Sequence, residues 1–174
     1  MALTVRRASP GDVEALAEVH VRCWQETYRG LLSQEFLAAQ HSGTRLPLWR
    51  HLLESAEPAE AWVASDGGRI VGFAGIRREP GASSHGFEPP SSGDLELWGL
   101  YLLASHQGLG LGRRLLEAAL GGEAASLWVA AHNGRAIGFY GHFGFAPDGA
   151  ADVIPEWENL REIRMVRPVQ AALR

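Results

Sequence analysis

Apolar positions recur along this chain with two different periods, and the period changes where the elements change. Leu3 to Arg7 is a short segment of strand character, closed by Ser9-Pro10-Gly11-Asp12, residues that punctuate an element rather than extend it. Val13, Leu16, Ala17, His20, Cys23, Trp24 and Thr27 then fall at three- and four-residue steps, predicting a helix with one buried face that runs to roughly Arg29 and stops at Gly30. Ser33-Gln34-Glu35 has the form of a second helix start, and helical character is expected to continue past Pro47 through Trp49, Leu52 and Leu53. From Ala61 the pattern becomes that of strands: Ala61 to Ser65, the turn Asp66-Gly67-Gly68, and Arg69 to Ile76 read as a hairpin. Glu79 to Gly93 is too rich in proline, glycine and serine for regular structure, and is expected to be a mobile loop inside one domain.

The second half alternates. Asp94 to Leu103 predicts a strand, Leu109 to Leu120 a helix, Ser126 to Ala130 a strand, Arg135 to Phe143 a helix, and Asn159 to Arg167 a closing strand. Such alternation argues for an α/β fold with helices laid on a sheet.

Composition narrows the class. The 174 residues, 46% hydrophobic and 21% charged, suit one globular domain covering 1–174. A single cysteine, Cys23, leaves no internal disulfide, and the seven histidines show neither CxxC nor HExxH company, so no metal is expected. MALTVRRASPGD lacks the apolar core of a signal peptide, and no apolar run approaches the ~20 residues of a spanning helix, so a cytoplasmic setting without membrane contact is expected. A net charge of -4 argues against a nucleic-acid partner. Every basic residue is arginine, so an acyl donor held here could modify the chain itself only at its N-terminal amine or by unusual chemistry.

Against this background His106-Gln107-Gly108-Leu109-Gly110-Leu111-Gly112 stands out, three alternate glycines where a strand hands over to a helix. Free amides and the positive end of a helix dipole attract phosphate oxygens, and glycines let the backbone approach them. A Walker loop fails, because Arg113-Arg114 follows Gly112 in place of lysine and a hydroxyl residue. A dinucleotide fingerprint fits poorly, because Leu115 occupies the third glycine position. The third design, QxxGxG, is matched by Gln107 to Gly112.

At this point the sequence resembles the GNAT superfamily of acyl-coenzyme A dependent N-acetyltransferases, and the resemblance covers nearly the whole chain. LELWGLYLLAS is similar to the family's central fourth strand, HNGRAIGFYGHFGFAP to its asparagine, short helix, tyrosine and Gly-Phe sequence, and EVHVRCWQETYRGLLSQEFL to the first two helices, which close over substrate in many members. The resemblance implies a mixed central sheet of about six to seven strands, its fourth and fifth strands splayed, flanked by about four helices. It implies acetyl-CoA as donor cosubstrate. Backbone groups of Leu100, Tyr101 and Leu102 would pair with the pantetheine arm as an added strand would. Amides from Gly108 through Leu109, Gly110, Leu111 and Gly112 to Arg113, with Gln107, would hold the pyrophosphate. Asn133 would bond the arm from the other side, and Gly99 would mark the bulge that starts the splay.

Amide formation needs a neutral amine, a donor for the oxyanion and a proton for the thiolate. Glu96 is the candidate base, directly or through water, set against a solvent-facing or ion-paired role. A backbone amide near Leu100 would serve the oxyanion. Tyr140 is the candidate acid, set against a core aromatic. Members that acetylate ribosomal protein N-termini tend to carry a glutamate where this chain has Trp128, which favours a small-molecule amine over a protein acceptor. Trp24, Tyr28, Trp98 and Trp128 could line an aromatic acceptor pocket or simply fill core. Glu79, Glu88 and Asp94 could draw a cationic amine or be plain solvated loop. A silent acetyl-CoA-binding sensor and a nucleotide-binding protein remain as other classes, and a homodimer stays open.

Overall fold

The computed structural model describes residues 2–57, 59–78 and 95–170. The expected loop Glu79 to Gly93, with Glu79, Glu88 and Asp94, lies outside the described residues. Seven strands follow the order β1-β2-β3-β4-β5-β7-β6, and five α-helices accompany them. The chain divides into two compact units, residues 1–76 with 99–119 and residues 77–98 with 120–174.

In the first unit, β1 (Leu3–Arg7), β2 (Glu60–Asp66) and β3 (Arg69–Arg77, of which residues to Ile76 belong here) form an antiparallel meander, with Leu3 opposite Asp66 and Glu60 opposite Ile76. The entry to α1 (Val13–Thr27) is fixed electrostatically: Arg6 grips both oxygens of Asp12 at 2.8 and 2.9 Å, and the Ser9 amide donates to the same carboxylate at 2.8 Å. The Arg6 guanidinium thereby holds Asp12 down at about 2. The face of α1 predicted from its spacing is buried, with Leu16, Ala17 and Cys23 fully so.

The single helix expected from Ser33 to Leu53 is two, α2 (Gln34–Ala38) and α3 (Ser42–Glu54). Gln25 of α1 donates through Nε2 to the carbonyls of Leu37 and Gln40, both at 3.1 Å, satisfying groups that a continuing helix would have used itself. His41 is then extended, at φ -144°, and Pro47 is accommodated inside α3. The helix α4 (Leu111–Leu120) starts two residues later than its pattern suggests, because Gly108 and Gly110 both have φ +79°. Its apolar stripe, Leu111, Leu115, Leu116, Ala119 and Leu120, is buried.

β4 (Leu95–Leu102) begins in the second unit and ends in the first. In the second unit its parallel ladder with β5 (Ala125–Ala130) pairs Leu95 with Ala125 and Glu96 with Ser126, whereas β5 pairs β7 (Leu160–Arg167) antiparallel along its whole length. The helix α5 (Gly134–His142) follows β5. β6 (Ala146–Ile154) has no counterpart among the expected elements: APDGAADVI is poor in strand formers, and the segment is held by pairing with β7 through an irregular register between Pro147 and Ala151. Among the described residues no helix is long and apolar enough to cross a membrane.

Candidate active site

The turn from β4 to α4 is fastened at both ends. Glu26 of α1 accepts from the Ala104 amide at 2.7 Å, and Gln107 donates through Nε2 to the Leu102 carbonyl at 3.0 Å, tying the glycine loop back to the strand it leaves. His106 links Ser105, 2.8 Å from Nδ1, to Asp66, 3.4 Å from Nε2. Arg114 N–H donates to Gly110 C=O at 3.1 Å, so Gly110 is the cap, and the amides of Leu111, Gly112 and Arg113 precede Arg114, the first donor of the helix ladder. A Cβ placed on Gly108 or Gly110 would meet nothing within 4 Å, so positive φ rather than crowding demands glycine there. Gly112 lies inside the helix and does not share the positive φ. Leu109 is 55% exposed, Leu111 fully buried. Arg113 is tied to Glu117 at 2.7 Å on the surface, and Arg114 donates to the Leu3 carbonyl at 2.9 Å.

At the end of β4 the pleat sorts the backbone. Leu103 N–H donates to Val71 C=O at 2.9 Å, and the Tyr101 carbonyl abuts Gly72 of β3. Alternation then turns the amides and carbonyls of Leu100 and Leu102 away from β3. The side chain of Gly99 is missing where Phe73 and Tyr101 pack, at 3.4 and 3.5 Å from where its Cβ would stand. Tyr101 itself joins Tyr28, oxygen to oxygen at 3.3 Å, and Tyr28 stacks on buried Trp24 with ring centroids 4.6 Å apart.

In the second unit Asn133 caps α5, its Oδ1 accepting from Ala136 N–H at 3.1 Å, which leaves the side-chain NH2 as its donor. Tyr140, seven residues on and buried, packs against Phe139 and Phe145 at 5.3 and 5.8 Å. Residues 14–145, which include β4, the glycine turn, α4, β5 and the capped α5, match the sequence model of the acetyltransferase (GNAT) family. The chain belongs to that family.

Among proteins similar to it, a probable N-acetyltransferase of Mycobacterium tuberculosis, Rv2775, is 27% identical over 157 residues, 84% of this chain and 82% of the relative. A PaiA N-acetyltransferase from Thermoplasma acidophilum, crystallised with coenzyme A, shares the fold at a TM-score of 0.67 and 20% identity, over 97% of this chain and 99% of that one. A structure described as histone acetyltransferase HPA2 and related acetyltransferase, from Corynebacterium glutamicum, matches at 0.70 and 25% over the full length of both.

Within this GNAT chain the first unit assembles Gln107 to Arg113 with the end of β4, and assembles Trp24, Tyr28 and Tyr101. The second unit carries Glu96, Trp98, Trp128, Asn133 and Tyr140. Glu96 does not face solvent: it is 6% exposed, with Oε2 3.9 Å from the Arg77 guanidinium. Trp128 is half-buried beneath Arg164, 5.9 Å from its ring. Among the described residues no group of three His, Cys, Asp or Glu side chains is placed to hold a metal ion. Arg45 is a residue that the sequence reading passed over. It lies 5.5 Å above the Trp24 ring, at an unremarkable place in the helical pattern that gives no sign of this.

Proposed function

We propose that the chain transfers the acetyl group of acetyl-CoA to a primary amine, a small molecule rather than a protein N-terminus, and that residues 1–174 act as one catalytic domain. The observation that carries this is the loop: two glycines at φ +79° with open space beside them, followed by three helix amides that precede the first donor of the helix ladder. A diphosphate fits such a cradle because the amides and the helix dipole favour anions and nothing projects into it. The coenzyme A held by the PaiA protein supports the same assignment.

The donor supplies an activated acyl carbon and a sulfur leaving group. Gln107 keeps the loop closed on β4, and amides from Gly108 to Arg113 bind the diphosphate. The backbones of Leu100 and Leu102 take the pantetheine arm along the edge of the strand turned away from β3, with the Asn133 amide as a further donor. Glu96 takes a proton from the arriving ammonium, directly or through water, and the neutral amine nitrogen then bonds to the acyl carbon as the carbon-sulfur bond breaks. An amide near Leu100 faces the carbonyl oxygen, Tyr140 gives a proton to the departing sulfur, and the second nitrogen proton leaves to water, so that of the two protons lost by nitrogen one is matched by that on sulfur and one is released to solvent.

Thermal melting tests the reading. At 100 times its dissociation constant a ligand adds roughly 2.7 kcal/mol. In a chain of this size that raises Tm by about 5–10 °C. Acetyl-CoA is expected to produce this rise, and NAD or ATP is not. Absence of a rise at saturating acetyl-CoA overturns the proposal.

A further inference from the structure

Arg45, in the first turn of α3, is a part-buried cation that no anion among the described residues faces. Its Nε is sealed from solvent and meets no acceptor. None of the ion pairs formed among the described residues uses it. Around it stand aromatic rings: Trp24 beneath the guanidinium at 5.5 Å, and Tyr28 and Phe36 against Trp24 at 4.6 and 5.8 Å. Tyr101 and His20 lie near enough to exchange charge effects with it. His20 offers no compensation. Burial, and after it the Arg45 charge, push its pKa down to about 3, so the ring is neutral and accepts from Trp49 Nε1 at 3.2 Å.

A part-buried guanidinium whose sealed Nε meets no acceptor is costly, and a ligand that accepts from it would remove that cost. Tyr101, whose phenol opposes the lowering of the Arg45 pKa by burial, lies between Leu100 and Leu102, the two residues assigned above to the donor arm, so this cation shares the Trp24, Tyr28 and Tyr101 cluster with the strand that would present the acetyl group. We propose that Arg45 anchors a carboxylate carried by the acceptor, making the substrate an amino-acid-like amine. The inference rests on the acetyl-transfer reading and adds the substrate class to it. Planar guanidinium matches carboxylate in two parallel hydrogen bonds, and the Trp24 and Tyr28 rings suit the apolar remainder of such a molecule. The same positive charge disfavours a protonated amine nearby, which promotes the neutral nucleophile and repels polycationic acceptors.

The test measures coenzyme A release with matched acceptors, phenylalanine against phenethylamine and tryptophan against tryptamine, with spermidine as the polycation. The carboxylate-bearing member of a pair is expected to lead in kcat/KM by ~10-fold or more, the range for hydrogen bonds to a charged group. Arg45→Gln should erase that preference through acceptor KM, with KM for acetyl-CoA within about 2-fold of the parent. Arg45→Lys should keep part of the preference, and decides the matter if the glutamine variant fails to fold. If acetyl-CoA gives no melting shift, the acetyl-transfer reading is at fault. If acetyl-CoA binds but the decarboxylated amines or spermidine are acetylated as well or better, the anchor is wrong. It is equally wrong if no carboxylate-bearing amine turns over, or if Arg45→Gln acts on the donor KM.

Discussion

Replacing Gly110 by alanine separates what the glycine loop does for folding from what it does for the ligand. At φ +79° an alanine Cβ costs ~1–2 kcal/mol in left-handed backbone. Restricting the unfolded chain returns ~0.4–1 kcal/mol. No collision adds to this, because the Cβ finds no atom within 4 Å. The net loss is about 1 kcal/mol, a fall in Tm of about 2–4 °C with the transition still cooperative. Binding should suffer more, because a backbone that relaxes toward negative φ turns its amides off the diphosphate, and each charge-assisted bond lost costs ~1.5–3 kcal/mol, or ~10- to 150-fold in affinity. Gly112→Ala is the internal control. Inside α4 alanine is favoured over glycine by ~1 kcal/mol, so Tm should hold or rise, and any loss of affinity there reports a donor close enough to touch the new methyl. Calorimetric melts paired with acetyl-CoA titration read both quantities. Parental affinity in Gly110→Ala, or its failure to fold while Gly112→Ala folds, refutes the reasoning.

Three further outcomes are expected. Tyr140→Phe keeps the ring among Phe139 and Phe145, so melting and donor affinity should stay near the parent while turnover falls ~100-fold. A donor with a more acidic leaving thiol should restore the variant disproportionately, and normal turnover with acetyl-CoA would leave the ring as mere packing. Glu96→Gln should depress the rate near neutrality and recover partly at high pH, where the amine is already neutral; an equal loss across the profile would assign the carboxylate to its Arg77 pair alone. Asp12→Asn should lower stability by on the order of 1–2 kcal/mol above pH ~5. The Asp12 pKa falls from 3.8 to about 2 at ~1.36 kcal/mol per unit, and the value is discounted because Arg6 is 50% exposed. Because the folded pKa is depressed, the parent's advantage is complete above the unfolded pKa and vanishes as pH falls from about 4 to about 2. Urea melts whose difference persists unchanged at pH 2 would refute it.

What the sequence determined by itself was whatever depends on neighbours along the chain. The three- and four-step spacing of Val13 to Thr27 is a buried helix face, Asp66-Gly67-Gly68 turns a hairpin, and the glycines before α4 turn the chain from strand to helix, because periodicity, turn chemistry and helix ends are local physics. Tertiary structure decided whatever depends on a partner far away in sequence. The break between α2 and α3 comes from Gln25 capping carbonyls twelve and fifteen residues on. β6 forms from a segment without strand propensity because β7 offers it hydrogen bonds. Glu96, which could have faced solvent, is buried against Arg77. Gly108 and Gly110 look like Gly112 in the sequence, and only the backbone shows which of them need to be glycine. Arg45 makes the same point for charge: an arginine in a helical pattern is ordinarily solvated, and only the tertiary packing over Trp24 seals its Nε with no acceptor among the described residues, since desolvation is set by the surroundings rather than by the residue.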